Sequence, residues 1–196
     1  MTDGISIDAY LARLASGEPT PGGGSAACVA AALGAALVAM VGRLTLASPK
    51  LVDRHARVKP LVDRADALRH ACLAGARADE EAYAVVVAAQ RLPRATDQER
   101  AARSARLQSA LAEAAEVPLR NAATALELLR LTGEMAEAGT PHAQSDVRCA
   151  ALFARAAMAA AIENVLVNHE YLKDETLVAA QRARIAALRR ESAALG

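Results

Sequence analysis

The sequence predicts an all-α protein, an up-and-down bundle of long helices in one domain over residues 1–196. Composition carries most of this. Hydrophobic residues make up 54% of the 196 and aromatics only 2%, so alanine, leucine and valine must build the core. Alanine is the best helix former, and small side chains let helices approach closely. The second observation is that long helical stretches are separated by a few proline and glycine breaks. No heptad pattern is sustained and no internal repeat occurs.

A short first helix is expected to start at Ser6 and stop at Gly17, with Ile5 as a staple and Ile7, Leu11 and Leu14 lining one side. Then come Pro19-Thr20-Pro21-Gly22-Gly23-Gly24-Ser25 and an uncharged, alanine-rich run. Ser25 is a good N-cap, so a buried helix is expected over residues 25–47, ended by Ser48-Pro49. Residues 51–92 read as one long helical stretch, with Pro60 either kinking it or separating a preceding turn. Leu92-Pro93-Arg94 is a break, and Thr96 with Glu99 forms a capping box that opens a helix reaching Ala138. Pro118 is an internal kink and Gly139 the C′ residue just past the helix end. Ser145 caps the next helix, which runs to Leu172, and a final amphipathic helix spans residues 174–194 with arginines on one side.

The charge balance of 23 basic to 22 acidic residues gives no reason to expect a nucleic-acid or acidic-membrane partner. Cys28, Cys72 and Cys149 show neither a metal-ligand spacing nor an even disulfide set, which fits a reduced, cytoplasmic protein. They are expected to be small buried hydrophobes. His55, His70 and His169 lie on helices without metal-compatible partners and read as surface or packing residues; no metal site is expected. Met1-Thr2-Asp3-Gly4 lacks the basic and apolar regions of a signal peptide. The uncharged run 26–41 falls short of the roughly 20 apolar residues of a membrane span. The apolar helical surface exceeds what one thin bundle can cover, so a homodimer is expected, with the small-residue second helix as its contact.

Three consecutive glycines belong where the backbone takes positive φ or approaches something closely. A helix N-terminus behind such a loop is a natural seat for an anion or a developing negative charge. The competing reading is a flexible linker ahead of a packed helix. Positive φ at Gly23 would make that position intolerant of alanine.

Pro19-Thr20-Pro21-Gly22-Gly23-Gly24-Ser25-Ala26-Ala27 resembles the signature of the formiminotransferase-cyclodeaminase/methenyltetrahydrofolate cyclohydrolase family. Met40-Val41-Gly42-Arg43-Leu44-Thr45, Asp79 with Tyr83, Leu92-Pro93-Arg94-Ala95-Thr96-Asp97, Val117-Pro118-Leu119, Ser145-Asp146 and Asn164-Val165-Leu166-Val167-Asn168 resemble further family segments, in order. The resemblance implies an all-helical dimer that binds a tetrahydrofolate derivative. It implies a cyclohydrolase, which opens 5,10-methenyltetrahydrofolate with water to 10-formyltetrahydrofolate, or a cyclodeaminase, which closes 5-formiminotetrahydrofolate and expels ammonia. The cyclohydrolase is preferred because no formiminotransferase region accompanies the domain. A helical dimerisation or interaction module is the non-enzymatic alternative. Two departures stand out: Thr140 and His142 replace the asparagines usual in the family's loop, and a lysine-rich segment is reduced to Ser48-Pro49-Lys50.

Both reactions pass through a tetrahedral carbon between two nitrogens and move a proton on or off nitrogen. A carboxylate serves both, and no cofactor is needed. Asp79 is the first choice, four residues before Tyr83 and therefore on its helix face. Without the resemblance, Asp79-Glu80-Glu81 reads as a solvated acidic face. Asp146 is a second catalytic candidate or a first-turn acid favoured by the helix dipole. Pro21, Gly22, Gly23, Gly24 and Ser25 are candidate substrate contacts. Arg43 is a candidate for a folate carboxylate or a helix-end cation, and His142 a binding-loop substitution. Asn164 and Asn168 suit either a pteridine amide edge or helix–helix hydrogen bonds. Asp146 and Asn164 share a face but lie roughly 27 Å apart along one helix, so either one is structural or a second chain completes the site.

Overall fold

The computed structural model describes residues 5–195, so the signal-peptide reading of Met1-Thr2-Asp3-Gly4 lies outside the described residues. Six α-helices occur in it: α1 (Ile7–Leu14), α2 (Gly23–Ala47), α3 (His55–Gln90), α4 (Asp97–Ala138), α5 (Gln144–His169) and α6 (Glu175–Ala194). The expected all-α bundle is present, and no strand occurs among the described residues.

Side-chain caps set several boundaries where the sequence places them. Ser6 Oγ accepts from Ala9 N–H (3.2 Å), and Asp174 Oδ1 from Leu177 N–H (3.0 Å). At α4 the box is reciprocal: Thr96 Oγ1 accepts from Glu99 N–H (3.2 Å), and Glu99 Oε2 from Thr96 N–H (2.9 Å).

Other boundaries differ from expectation. The first helix ends at Leu14, and its buried residue is Tyr10. Ile7 and Leu11 are mostly exposed, because the helix docks through the Tyr10 hydroxyl on Ser25 rather than through an aliphatic stripe. Helix α2 starts two residues before Ser25, with Gly22 as a cap that lacks a side chain. The chain after Pro49 forms a 3₁₀ turn to Arg54, and α3 begins only at His55, leaving Pro60 inside its second turn. Gly139 is the C-cap of α4 itself, at φ −74°, rather than the residue beyond it; a Cβ there would stand 2.7 Å from Met135 O. A 3₁₀ turn, Pro141–Ala143, precedes α5, whose cap is Ala143; Ser145 falls inside the first turn, and the helix ends at His169.

Helices α2, α3, α4 and α5 form the bundle. Helix α2 packs against α3 and α5, α4 closes the ring against the same two, and α6 lies outside against α4. The core is alanine, valine and leucine with few larger side chains, among them Leu128, Leu131 and Met135, all fully buried. At one end Gly42 admits Val62 and Met135, and Thr45 Oγ1 accepts from Thr140 N–H (2.8 Å). Arg64 ties α3 to α4 through Glu127 and Glu134.

Cys28 and Cys72 are buried as expected, and burial pushes their thiols up to about 12 and about 11. Cys149 is exposed, contrary to expectation, because it lies on the outer face of α5. By length and composition α2 and residues 141–169 would each pass for a membrane span. The uncharged run 26–41, shorter than a membrane span, is only the middle of the 25-residue α2. In α2, 61% of the most apolar window is buried inside the bundle, as suits a core helix, against 39% in the second segment.

Helices α3 and α4 are 36 and 42 residues long, against 25 and 26 for α2 and α5. The long pair therefore runs on past the N-terminus of α2. It is held together there by its own apolar cluster, Ala82, Val86 and Ala89 against Ala110, Leu111 and Val117. The step between long and short helices makes a shelf, and the glycine loop sits on it.

Candidate active site

The shelf holds an open cleft of about 170 Å³. The loop supplies Pro19, Thr20 and the three glycines; α3 supplies Asp79, Ala82 and Tyr83; α4 supplies Ala114 and α5 Asn164. The alanines leave the room, and the polar groups converge from three directions.

The glycines matter by proximity, not by φ. None of Gly22, Gly23 and Gly24 takes positive φ, which corrects the expectation for Gly23. A Cβ on Gly23 would make only an ordinary 3.6 Å contact with Asn164 Nδ2. A Cβ on Gly24 would stand 2.2 Å from Asp79 Oδ1 and 2.6 Å from Oδ2. The Asp79 carboxylate thus lies against the first turn of α2, where the helix presents free N–H groups and the positive end of its dipole. The Thr20–Pro21 bond is cis; Pro21 itself is buried and does not line the cleft.

Asp79 is half-buried, and burial raises its pKa above the usual carboxylate range. The Ser25 backbone amide pulls it back down, and the Glu80 charge raises it further. No cationic side chain pairs with Asp79 among the described residues. An unpaired carboxylate under partial desolvation is poised to meet a cation or accept a proton. Tyr83, 44% exposed, stands one turn along on the same wall.

The two asparagines separate. Asn164 lines the cleft, its Nδ2 donating to Ala160 O (2.8 Å). Asn168 Nδ2 donates to Ala114 O (3.0 Å) and Asn164 O (2.7 Å), so it joins α5 to α4 behind the cleft. Ser25 is fully buried, with its hydroxyl turned to Tyr10 and Glu80.

Arg43, His142 and Asp146 lie at the other end of the bundle. Arg43 is roughly 28 Å from Gly24 along α2 and pairs with Asp66, holding that carboxyl low. His142 is exposed in the 3₁₀ turn, and Asp146 occupies the first turn of α5. Within one subunit these three do not meet Asp79. Sequence reasoning missed Ala82 and Ala114, which look like every other alanine of this chain. It also missed Tyr10 and Glu80 behind the loop, which carry no local mark.

Comparison with known proteins bears on the family and the fold. A family model described as formiminotransferase-cyclodeaminase matches residues 6–187. A methenyltetrahydrofolate cyclohydrolase of Methylorubrum extorquens is 37% identical, over 100% of this chain and 94% of its own length. A formimidoyltransferase-cyclodeaminase of Rattus norvegicus is 32% identical over 95% of this chain, which spans only 35% of that relative. The solved formiminotetrahydrofolate cyclodeaminase of Thermotoga maritima superposes with a TM-score of 0.88 at 26% identity, covering 100% of this chain and 93% of that one.

Proposed function

Because the chain belongs to the formiminotransferase-cyclodeaminase family, we propose that it is a methenyltetrahydrofolate cyclohydrolase, converting 5,10-methenyltetrahydrofolate and water to 10-formyltetrahydrofolate. The observation that carries this reading is the unpaired Asp79 carboxylate, half-buried beside the start of α2 in an open cleft. The substrate's C=N⁺ carbon is cationic, so a carboxylate without a counter-ion attracts it. Asp79 takes a proton from the attacking water as the C–O bond forms. Its raised pKa helps it keep that proton and deliver it to N5 as the C–N5 bond breaks. The hydroxyl of the tetrahedral carbon loses its proton to solvent, leaving the formyl group on N10. Tyr83 and Asn164 supply a ring edge and an amide for the pteridine.

The cyclodeaminase is the second reading, supported by the cyclodeaminase names of the animal and Thermotoga relatives. There the same carboxylate would protonate departing ammonia. Neither reaction calls for a cofactor, and neither requires nucleic acid or a membrane. A homodimer belongs to the proposal, supported by an apolar outer face on α2 and α5 where Leu33 is 48% and Leu152 67% exposed. So does a cytoplasmic setting, supported by three cysteines free of disulfides.

The test is the near-ultraviolet absorbance of methenyltetrahydrofolate. Its loss should accelerate in proportion to added protein, above the buffer rate. Decay at the buffer rate, with formiminotetrahydrofolate also untouched, would reject both readings and leave an interaction module.

A further inference from the structure

The turn of α2 that meets Asp79 has almost nothing of its own to hold it. Its cap is Gly22 and its next two residues are glycines, so Ser25 bears the first side chain able to make a hydrogen bond. That side chain is fully buried and points away from the cleft. Its Oγ donates to Glu80 Oε1 (3.1 Å) and lies 3.1 Å from the Tyr10 hydroxyl. Arg13, one turn after Tyr10 on α1, meets Glu80 Oε2 at 3.5 Å. Asp79 and Glu80 are chain neighbours, yet they serve different sides of α3. Asp79 lines the cleft, and Glu80 lines a small hollow behind it with Tyr10 and Ser25.

We propose that Glu80 is a positioning residue of this site: through the Ser25 hydroxyl it clamps the glycine-only start of α2 against the Asp79 carboxylate. The clamp rests on the reading of Asp79 given above. The geometry needs such a device, because glycine leaves the backbone more freedom than any other residue. Displacement of reacting groups by about 1 Å can cost on the order of 100-fold in rate. Glu80 also acts through its charge, which sits beside Asp79. The other titratable or charged groups around Asp79 and Glu80 are Tyr83 and Arg77 on α3, Cys28 on α2, and Tyr10 and Arg13 on α1. Helices α4 and α5 bring Ala114 and Asn164 to the cleft, and neither titrates.

The test compares Glu80→Gln and Glu80→Ala by steady-state kinetics and by carboxyl-carbon NMR titration of Asp79, its signal assigned by its loss in Asp79→Asn. Glutamine keeps an acceptor for Ser25 and drops the charge. It should hold kcat within about 3-fold while the Asp79 midpoint moves to lower pH. Alanine drops both, and kcat should fall by about 10-fold or more with an unchanged circular dichroism spectrum. An Asp79 midpoint in Glu80→Gln equal to wild type, or wild-type kcat in Glu80→Ala, would overturn the proposal. If the alanine variant does not fold, Ser25→Ala, which removes the hydroxyl the clamp works through, decides by the same kcat criterion. If wild-type protein turns over neither folate, the functional reading fails, and the titration still decides whether Glu80 acts on Asp79.

Discussion

The Asp79 carboxylate presses on Gly24: a Cβ at that position would stand 2.2 Å from Oδ1, well inside van der Waals contact. Gly23, next in the chain, has 3.6 Å to its nearest neighbour. The two positions are therefore predicted to behave oppositely. Gly24→Ala must expel the carboxylate or shift the helix start, and kcat should drop by about 100-fold. Gly23→Ala should keep kcat within about 3-fold and raise the melting temperature, since alanine is favoured over glycine in a helix by up to about 1 kcal/mol. Parallel kinetics and thermal melts check both; equal losses at the two positions would contradict the assignment.

Gly42 tests whether a tight glycine alone explains such a loss. A Cβ there would meet Val62 Cγ2 at 2.3 Å, at the opposite end of α2. Gly42→Ala should cost about 1–3 kcal/mol by overpacking and leave kcat of the folded fraction unchanged. Urea unfolding beside kinetics separates the two effects.

A third prediction concerns pH and stability. Burial raises the Asp79 pKa in the folded state above its unfolded value. Protonated Asp79 therefore favours the fold at low pH, and that benefit is lost as pH rises through the folded pKa. Asp79→Asn should melt higher than wild type at pH 7, and the gap should close below about pH 4. Activity has the complementary dependence. It needs the ionised carboxylate, so it should fall on acidification at a pH above that of an ordinary aspartate. Melting curves at both pH values that superpose would contradict the desolvated carboxylate.

The outer face of α2 and α5 gives a fourth. Leu152 is 67% exposed and Leu33 48%, and charge there should not disturb the core. Light scattering at micromolar concentration should give twice the chain mass for wild type and the single chain mass for Leu33→Glu/Leu152→Glu. A monomeric wild type would reject the proposed dimer.

The fold was legible where the signal is local. Caps at Ser6, Thr96 with Glu99, and Asp174 bond within three residues, so sequence spacing alone identifies them. Ser25 and Ser145 look like the same signal and are not caps. Ser25 spends its hydroxyl on Tyr10 and Glu80, 15 and 55 residues away in the chain, and no local pattern marks such partners. The site divides in the same way. Helical spacing puts Asp79 beside Tyr83 and shows that Asp146 is too far from Asn164. Which glycine meets the carboxylate, and which asparagine faces the cleft, depends on how α2, α3, α4 and α5 pack.

The central claim is that Asp79 moves the proton, and the most direct test is the initial rate of methenyltetrahydrofolate loss with wild type and Asp79→Asn side by side. Asparagine keeps the shape and removes both charge and basicity. Turnover should fall by about 10²–10⁴-fold, the usual size of a general acid–base contribution, with the circular dichroism spectrum unchanged. An Asp79→Asn protein that turns over within a few-fold of wild type would remove Asp79 from the mechanism.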